Sequence, residues 1–129
     1  MAPRSMRILL VDDEPDILLL LQAMLRTPGW EVVGKATQGE AALRVATDIR
    51  PDVAIIDYMM PGMDGLQLAE RLKAIHPTCD VLIFSAFDVK AEALDSPHVD
   101  HFLEKGRIDE LQVVLNRIAD NKGLAGMGG

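Results

Sequence analysis

Short apolar runs rich in β-branched side chains alternate along this chain with segments whose apolar residues recur at helical spacing. Neighbouring parallel strands need a crossover of about a dozen residues or more, usually a helix, and helices on both faces leave such strands apolar throughout. The alternation therefore predicts an α/β domain built on a parallel sheet. The clearest runs are Ile8-Leu9-Leu10-Val11, Val53-Ala54-Ile55-Ile56, Val81-Leu82-Ile83-Phe84 and His101-Phe102-Leu103-Glu104. Strands are expected near residues 7–12, 31–36, 52–57, 80–85 and 99–103.

The helices between them are read from apolar stripes and stop signals. Ile17, Leu18, Leu21, Met24 and Leu25 share a face after Pro15, a residue suited to a first helical turn, and Pro28-Gly29 ends that helix. Asp13, two positions before Pro15, suits its cap. Ala41, Ala42, Val45, Ala46 and Ile49 repeat the pattern up to Pro51. Leu68, Ala69, Leu72 and Ile75 do so again between an Asp64 cap and Pro77. Ile108, Leu111, Leu115 and Ile118 form a last helix, with Asp109 and Glu110 placed in its first turn to suit the dipole. Asp88 to Leu94 allows only a short fourth helix, because Pro97 stops it.

Each strand run leads into a polar group: Asp12-Asp13 after the first, Asp57 after Ile56, Ser85 after Phe84, and Lys105 after Glu104. Neighbouring strands would bring three carboxylates and an ammonium to one edge of the sheet. Two carboxylates about 4 Å apart repel by roughly 4 kcal/mol at an effective dielectric near 20, so the cluster calls for a cation if all three are to stay ionised.

In this order, with Met59-Met60-Pro61-Gly62-Met63-Asp64-Gly65 beginning two positions after Asp57, these residues resemble the receiver domain of two-component response regulators, the CheY-like family, over about Arg7 to Asp120. The resemblance implies a flavodoxin-like, doubly wound sheet of five parallel strands in the order 2-1-3-4-5, with the ligand crevice outside the carboxyl ends of the strands. It implies that Asp57 accepts a phosphoryl group and that Lys105 pairs with the phosphoryl oxygens. Ser85 would be the switch hydroxyl, and Phe102, three positions before Lys105, the aromatic whose rotamer follows it. Mg2+, or Mn2+, would be held by Asp13, Asp57 and the Met59 backbone carbonyl, with Asp12 acting through water, as suits an ion that wants six oxygens near 2.0–2.1 Å. The implied partners are a histidine kinase or histidine phosphotransfer protein upstream and a protein or effector domain downstream, with a homodimer also allowed. The chain is expected to act as a phosphoacceptor rather than to turn over external substrates.

The family usually carries proline directly after the lysine, often in a cis peptide; Gly106 stands here. A cis bond to a non-proline residue costs about 2.5–4 kcal/mol, so a trans bond and an adjusted Lys105 loop are expected. This departure, with the short fourth helix, supports a rival reading as a phosphorylation-independent scaffold of the same fold. A magnesium-dependent phosphatase is a third reading, disfavoured because Met59 stands where a general-acid aspartate would follow the nucleophile. His76, next to Pro77, reads as a turn residue, His98 and His101 lack ligand spacing to any cysteine, and Trp30 and Cys79 read as packing residues.

With 129 residues the chain suits one domain, read as a flexible start over 1–5, a receiver over 6–121 and a flexible glycine-rich end over 122–129. A net charge of −7 argues against a nucleic-acid footprint, which needs a basic face. No apolar run reaches the roughly 18 residues of a membrane span, and Met1 to Ser5 is too short for a signal peptide. One cysteine allows no internal disulfide. A cytoplasmic setting is the expectation.

Overall fold

The structure, a computed structural model, describes residues 4–125. Five strands, β1 (Met6–Val11), β2 (Trp30–Ala36), β3 (Val53–Asp57), β4 (Asp80–Ser85) and β5 (His101–Glu104), form one parallel sheet in the order β2-β1-β3-β4-β5. The connecting helices are α1 (Pro15–Met24), α2 (Gly39–Asp48), α3 (Gly65–Ile75), α4 (Lys90–Asp95) and α5 (Leu111–Lys122). This is the flavodoxin-like architecture expected, short fourth helix included. Among the described residues no helix is long and apolar enough to cross a membrane.

Because successive strand side chains point to opposite faces, each strand feeds two cores. Leu9, Val11, Ala54, Ile56, Val81 and Ile83 pack with Ala42 and Ala46 of α2, Leu68 and Leu72 of α3, and Ala93 of α4. Met6, Ile8, Leu10, Ile55, Leu82 and Phe84 pack with Leu18 and Leu21 of α1 and Leu111, Leu115 and Ile118 of α5. Truncating one such leucine to alanine costs about 2–5 kcal/mol. β1 lies between β2 and β3, so the chain reverses its direction of travel across the sheet there, and the loops after β1 and β3 diverge over a crevice.

Local chemistry sets where the helices start and stop. α3 opens with a capping box: Asp64 accepts from the Gln67 backbone N–H at 2.9 Å and Gln67 accepts from the Asp64 N–H at 2.9 Å. α1 begins at Pro15, and the carboxylate that serves the turn before it is Asp12, whose Oδ1 accepts from the Glu14 N–H at 2.9 Å; Asp13, expected as the cap, is exposed instead. The last helix also starts later than its stripe suggests. Residues Lys105–Glu110 form a 3-10 turn with non-helical backbone at Arg107, and α5 starts at Leu111, leaving Asp109 and Glu110 ahead of it. A 3-10 turn shares the i, i+3 spacing of an α-helix, so Ile108 fitted the stripe without belonging to the helix. β5 runs 101–104, later than the expected 99–103.

The first and last described residues meet at the opposite edge of the sheet. Arg4 grips Asp52 through two hydrogen bonds of 2.7 and 2.9 Å, and its carbonyl accepts from the Ala125 N–H at 3.0 Å. Gly123 (φ +68°) closes α5, and Leu124 packs onto the core. Residues 1–3 and 126–129, within the segments read as flexible, lie outside the described residues. At the same edge Asp80 joins β4 to β5 and α5, through His101 Nε2 at 2.8 Å and Lys122 Nζ at 2.9 Å. His76 ends α3, with its Nε2 at 2.5 Å from the Ala46 carbonyl.

Candidate functional site

Asp57 ends β3 and Asp12-Asp13 directly follow β1, and Val11 pairs with Ile56, so sheet register alone brings the three carboxyls together. One oxygen from each lies within 4.8 Å of the others. Asp12 (1 % exposed) and Asp57 (6 % exposed) are buried, while Asp13 faces solvent. Lys105 reaches in from the end of β5: its Nζ lies 2.8 Å from Asp12 Oδ2 and 3.5 Å from Asp57 Oδ1. The ammonium also sits 5.9 Å from the centre of the Phe84 ring, within cation–π range.

Burial, and then the negative charge of Asp12, push the Asp57 carboxyl up to about 6; Lys105 opposes that rise and Asp13 adds to it. Burial works against the Lys105 ammonium, yet its contact with Asp12 and the charge of Asp57 outweigh burial and hold its pKa above the ordinary lysine value. The charges are therefore unbalanced. One lysine faces three carboxyls, and it stands closest to Asp12.

The Gly106 loop does not withdraw the lysine. No cis peptide occurs among the described residues, as the glycine led us to expect, and Lys105 still meets both buried carboxylates. A side-chain carbon on Gly106 would meet nothing within 4 Å, so the loop has room.

Ser85 ends β4 one residue beyond Phe84, the register partner of Asp57. It is fully buried, and its Oγ accepts from the Phe87 N–H at 3.0 Å, which leaves the hydroxyl proton free to donate. Phe102 on β5 is half-buried against the α2–α3 core and lines a groove of about 380 Å³ with Leu103, Val113 and Val114, rimmed by Lys90 and Arg117. Met59 and Phe87 leave β3 and β4 with exposed side chains, 53 % and 55 %, whereas Met60 and Met63 of the same β3–α3 loop are buried.

The residues present fit a small divalent cation. Asp12 Oδ2 is buried and receives no well-directed hydrogen bond, its neighbour being the Lys105 ammonium; it belongs to a set of hard oxygen donors of the kind magnesium takes. The sequence reading named all four charged residues of the crevice. It missed Phe84, whose ring lies beneath the Lys105 ammonium; its place directly before Ser85 was the available signal.

A family model described as "Response regulator receiver domain" matches residues 8–116. Sporulation initiation phosphotransferase F of Bacillus subtilis is 33 % identical over 114 residues, covering 86 % of this chain and 91 % of that protein. Transcriptional regulatory protein PrrA of Mycobacterium tuberculosis is 33 % identical over 122 residues, covering 92 % of this chain but 52 % of that protein, so the chain spans about half of that relative. Among solved structures, the response regulator TrrA of Thermotoga maritima, determined in complex with Mg(2+)-BeF, superposes with a TM-score of 0.77 at 30 % identity, over 88 % of this chain and 98 % of that one.

Proposed function

The chain belongs to the response regulator receiver family and is a phosphoacceptor domain of the two-component type, and from that premise we propose that Asp57 is the acceptor and that its phosphorylation is read on the Phe102 side of the domain. The observation that carries this is the meeting of Asp57, Asp12, Asp13 and Lys105 in one crevice.

A carboxylate oxygen of Asp57 attacks the phosphorus of a phosphohistidine; the P–N bond breaks, an acyl phosphate forms, and the leaving imidazole takes up a proton. Little else is asked of the protein beyond alignment and neutralisation of the equatorial oxygens. Lys105 supplies one fixed positive charge for those oxygens. Ser85 supplies a hydroxyl proton, and its bond to the Phe87 N–H carries any shift of that hydroxyl into the loop before α4. Asp13, Asp57, the Met59 carbonyl and Asp12 would hold Mg2+, which supplies further charge neutralisation when bound. The TrrA complex with Mg(2+)-BeF supports a magnesium site by likeness.

The scaffold reading rested on the Gly106 loop and on the short fourth helix; the Lys105 contacts speak against the first ground, while α4 is short as expected. The upstream partner is a histidine kinase or phosphotransfer protein. The test is transfer from a radiolabelled phosphohistidine donor in magnesium: the label moves onto the wild-type chain as a base-labile adduct and does not move onto Asp57→Asn. Equal labelling of the two proteins overturns the assignment.

A further inference from the structure

Gly65 is the last residue of the motif that follows Asp57, and nothing in the phosphoacceptor chemistry above uses it. It begins α3, and its backbone does two things. Its N–H donates to the Tyr58 carbonyl at 2.9 Å, closing the loop from Tyr58 to Gly65 on itself. Its Cα faces the backbone of the acceptor: a side-chain carbon built there would stand 2.4 Å from the Asp57 carbonyl oxygen and 3.0 Å from Tyr58 Cα, closer than such carbons come to other atoms. The backbone at Gly65 is not left-handed, so what excludes a side chain is contact with Asp57 and Tyr58, not the local turn.

We propose that Gly65 is a positioning residue for phosphoryl transfer, its bare Cα letting the start of α3 rest on the Asp57 carbonyl and so fixing the acceptor carboxylate and the Met59 carbonyl. The surroundings leave little room for escape. Above the contact, Met60 and Met63 are buried, and Met63 packs where a side chain on Gly39 would fall, so the loop is pinned to α2 as well. Below it, Asp57 is paired in the sheet with Phe84. The capping box of Asp64 and Gln67 fixes the first turn of α3 behind the glycine. The three atoms nearest a methyl group at this position all belong to backbone, and close-packed interiors relieve such overlap by moving backbone.

This inference rests on Asp57 being the acceptor, and its test separates the two. Gly65→Ala is compared with Gly34→Ala, where the added carbon would crowd Val45 Cγ1 at 2.5 Å on the α2 side of β2, away from the crevice. Two readouts are taken on folded protein: the magnesium concentration at half-saturation, from backbone amide shifts of Asp13 and Asp57, and the rate of phosphorylation by acetyl phosphate. A displacement approaching 1 Å at reacting atoms costs up to about 10²-fold in rate, so Gly65→Ala should weaken magnesium binding and slow phosphorylation by roughly tenfold or more. Gly34→Ala should lower the melting temperature and leave both readouts within about twofold. Gly65→Ala within about twofold of wild type on both readouts overturns the proposal, as does an equal loss in Gly34→Ala. If wild type takes up no phosphoryl group while Gly65→Ala still loses magnesium, the acceptor reading fails, and with it the transfer role of Gly65, while its part in holding the metal-binding carboxylates stands. If Gly65→Ala does not fold, Asp64→Ala, which loosens the same turn by removing its cap, must weaken magnesium binding; unchanged binding there overturns the proposal.

Discussion

Replacing Asp57 by asparagine should make the metal-free protein more stable, although it removes the proposed phosphoacceptor. The Asp57 carboxyl is buried beside Asp12, and its pKa is raised from 3.8 to about 6. A folded-state pKa above the unfolded value means that the native state binds the proton more tightly than the unfolded chain. Ionised Asp57 therefore adds no stability at any pH: its penalty is absent below about 4, grows as pH rises toward 6, and is complete above that. The rise corresponds to roughly 3 kcal/mol at about 1.4 kcal/mol per pH unit, and salt together with the open Asp13 side of the crevice reduces this to about 1–2 kcal/mol. The Lys105 attraction that the asparagine forfeits is already contained in that net shift. Urea denaturation of wild type and Asp57→Asn in chelator, at about pH 7.5 and again at about pH 4.5, measures the difference directly. The variant should be more stable at the higher pH, by about 1–2 kcal/mol, and this gain should fall to about a third at the lower. A variant no more stable than wild type near pH 7.5, or a gain equal at both values, would refute the strained-carboxylate account.

Magnesium should relieve the same repulsion: at about 100 times its dissociation constant it adds about 2.7 kcal/mol to wild type, and a melting temperature unmoved by millimolar magnesium and not raised by Asp13→Asn would remove the metal-site assignment. Lys105→Ala should still be phosphorylated but show smaller phospho-induced amide shifts around Ser85 and Phe102, because the ammonium links the acceptor to the end of β5; equal shifts in both proteins would mean Lys105 is outside the circuit. The acyl phosphate should be long-lived, since Met59 and Phe87, two residues beyond Asp57 and Ser85, carry exposed apolar side chains that cannot orient an attacking water. Loss of phosphate should quicken in Met59→Asn or Phe87→Glu, and unchanged half-lives in both would sink that idea.

Strand order and site were legible for the same reason. In a parallel sheet covered on both faces, apolar runs mark the strands and the residue after each run must emerge at the carboxyl edge, so Asp12, Asp57, Ser85 and Lys105 could be placed together from one-dimensional spacing. What spacing could not give were decisions made by backbone hydrogen bonds. Asp12 rather than Asp13 holds the turn into α1, a choice between adjacent aspartates that depends on which one the strand end buries. The 3-10 turn over Lys105–Glu110 was hidden because Ile108 and Leu111 satisfy both helical periods. The crowding at Gly65 is a contact between a helix start and a strand end eight residues apart in sequence, and no local pattern encodes it.

Intact mass after incubation with acetyl phosphate and magnesium, followed by reduction of the acyl phosphate and peptide mapping, tests the central claim most directly. The account predicts a gain of one phosphoryl group in the intact protein, absent from Asp57→Asn, and, once reduction has expelled the phosphate, homoserine at position 57 of the mapped peptide. A wild-type mass that does not change, or a phosphoryl group that persists in Asp57→Asn, would contradict it.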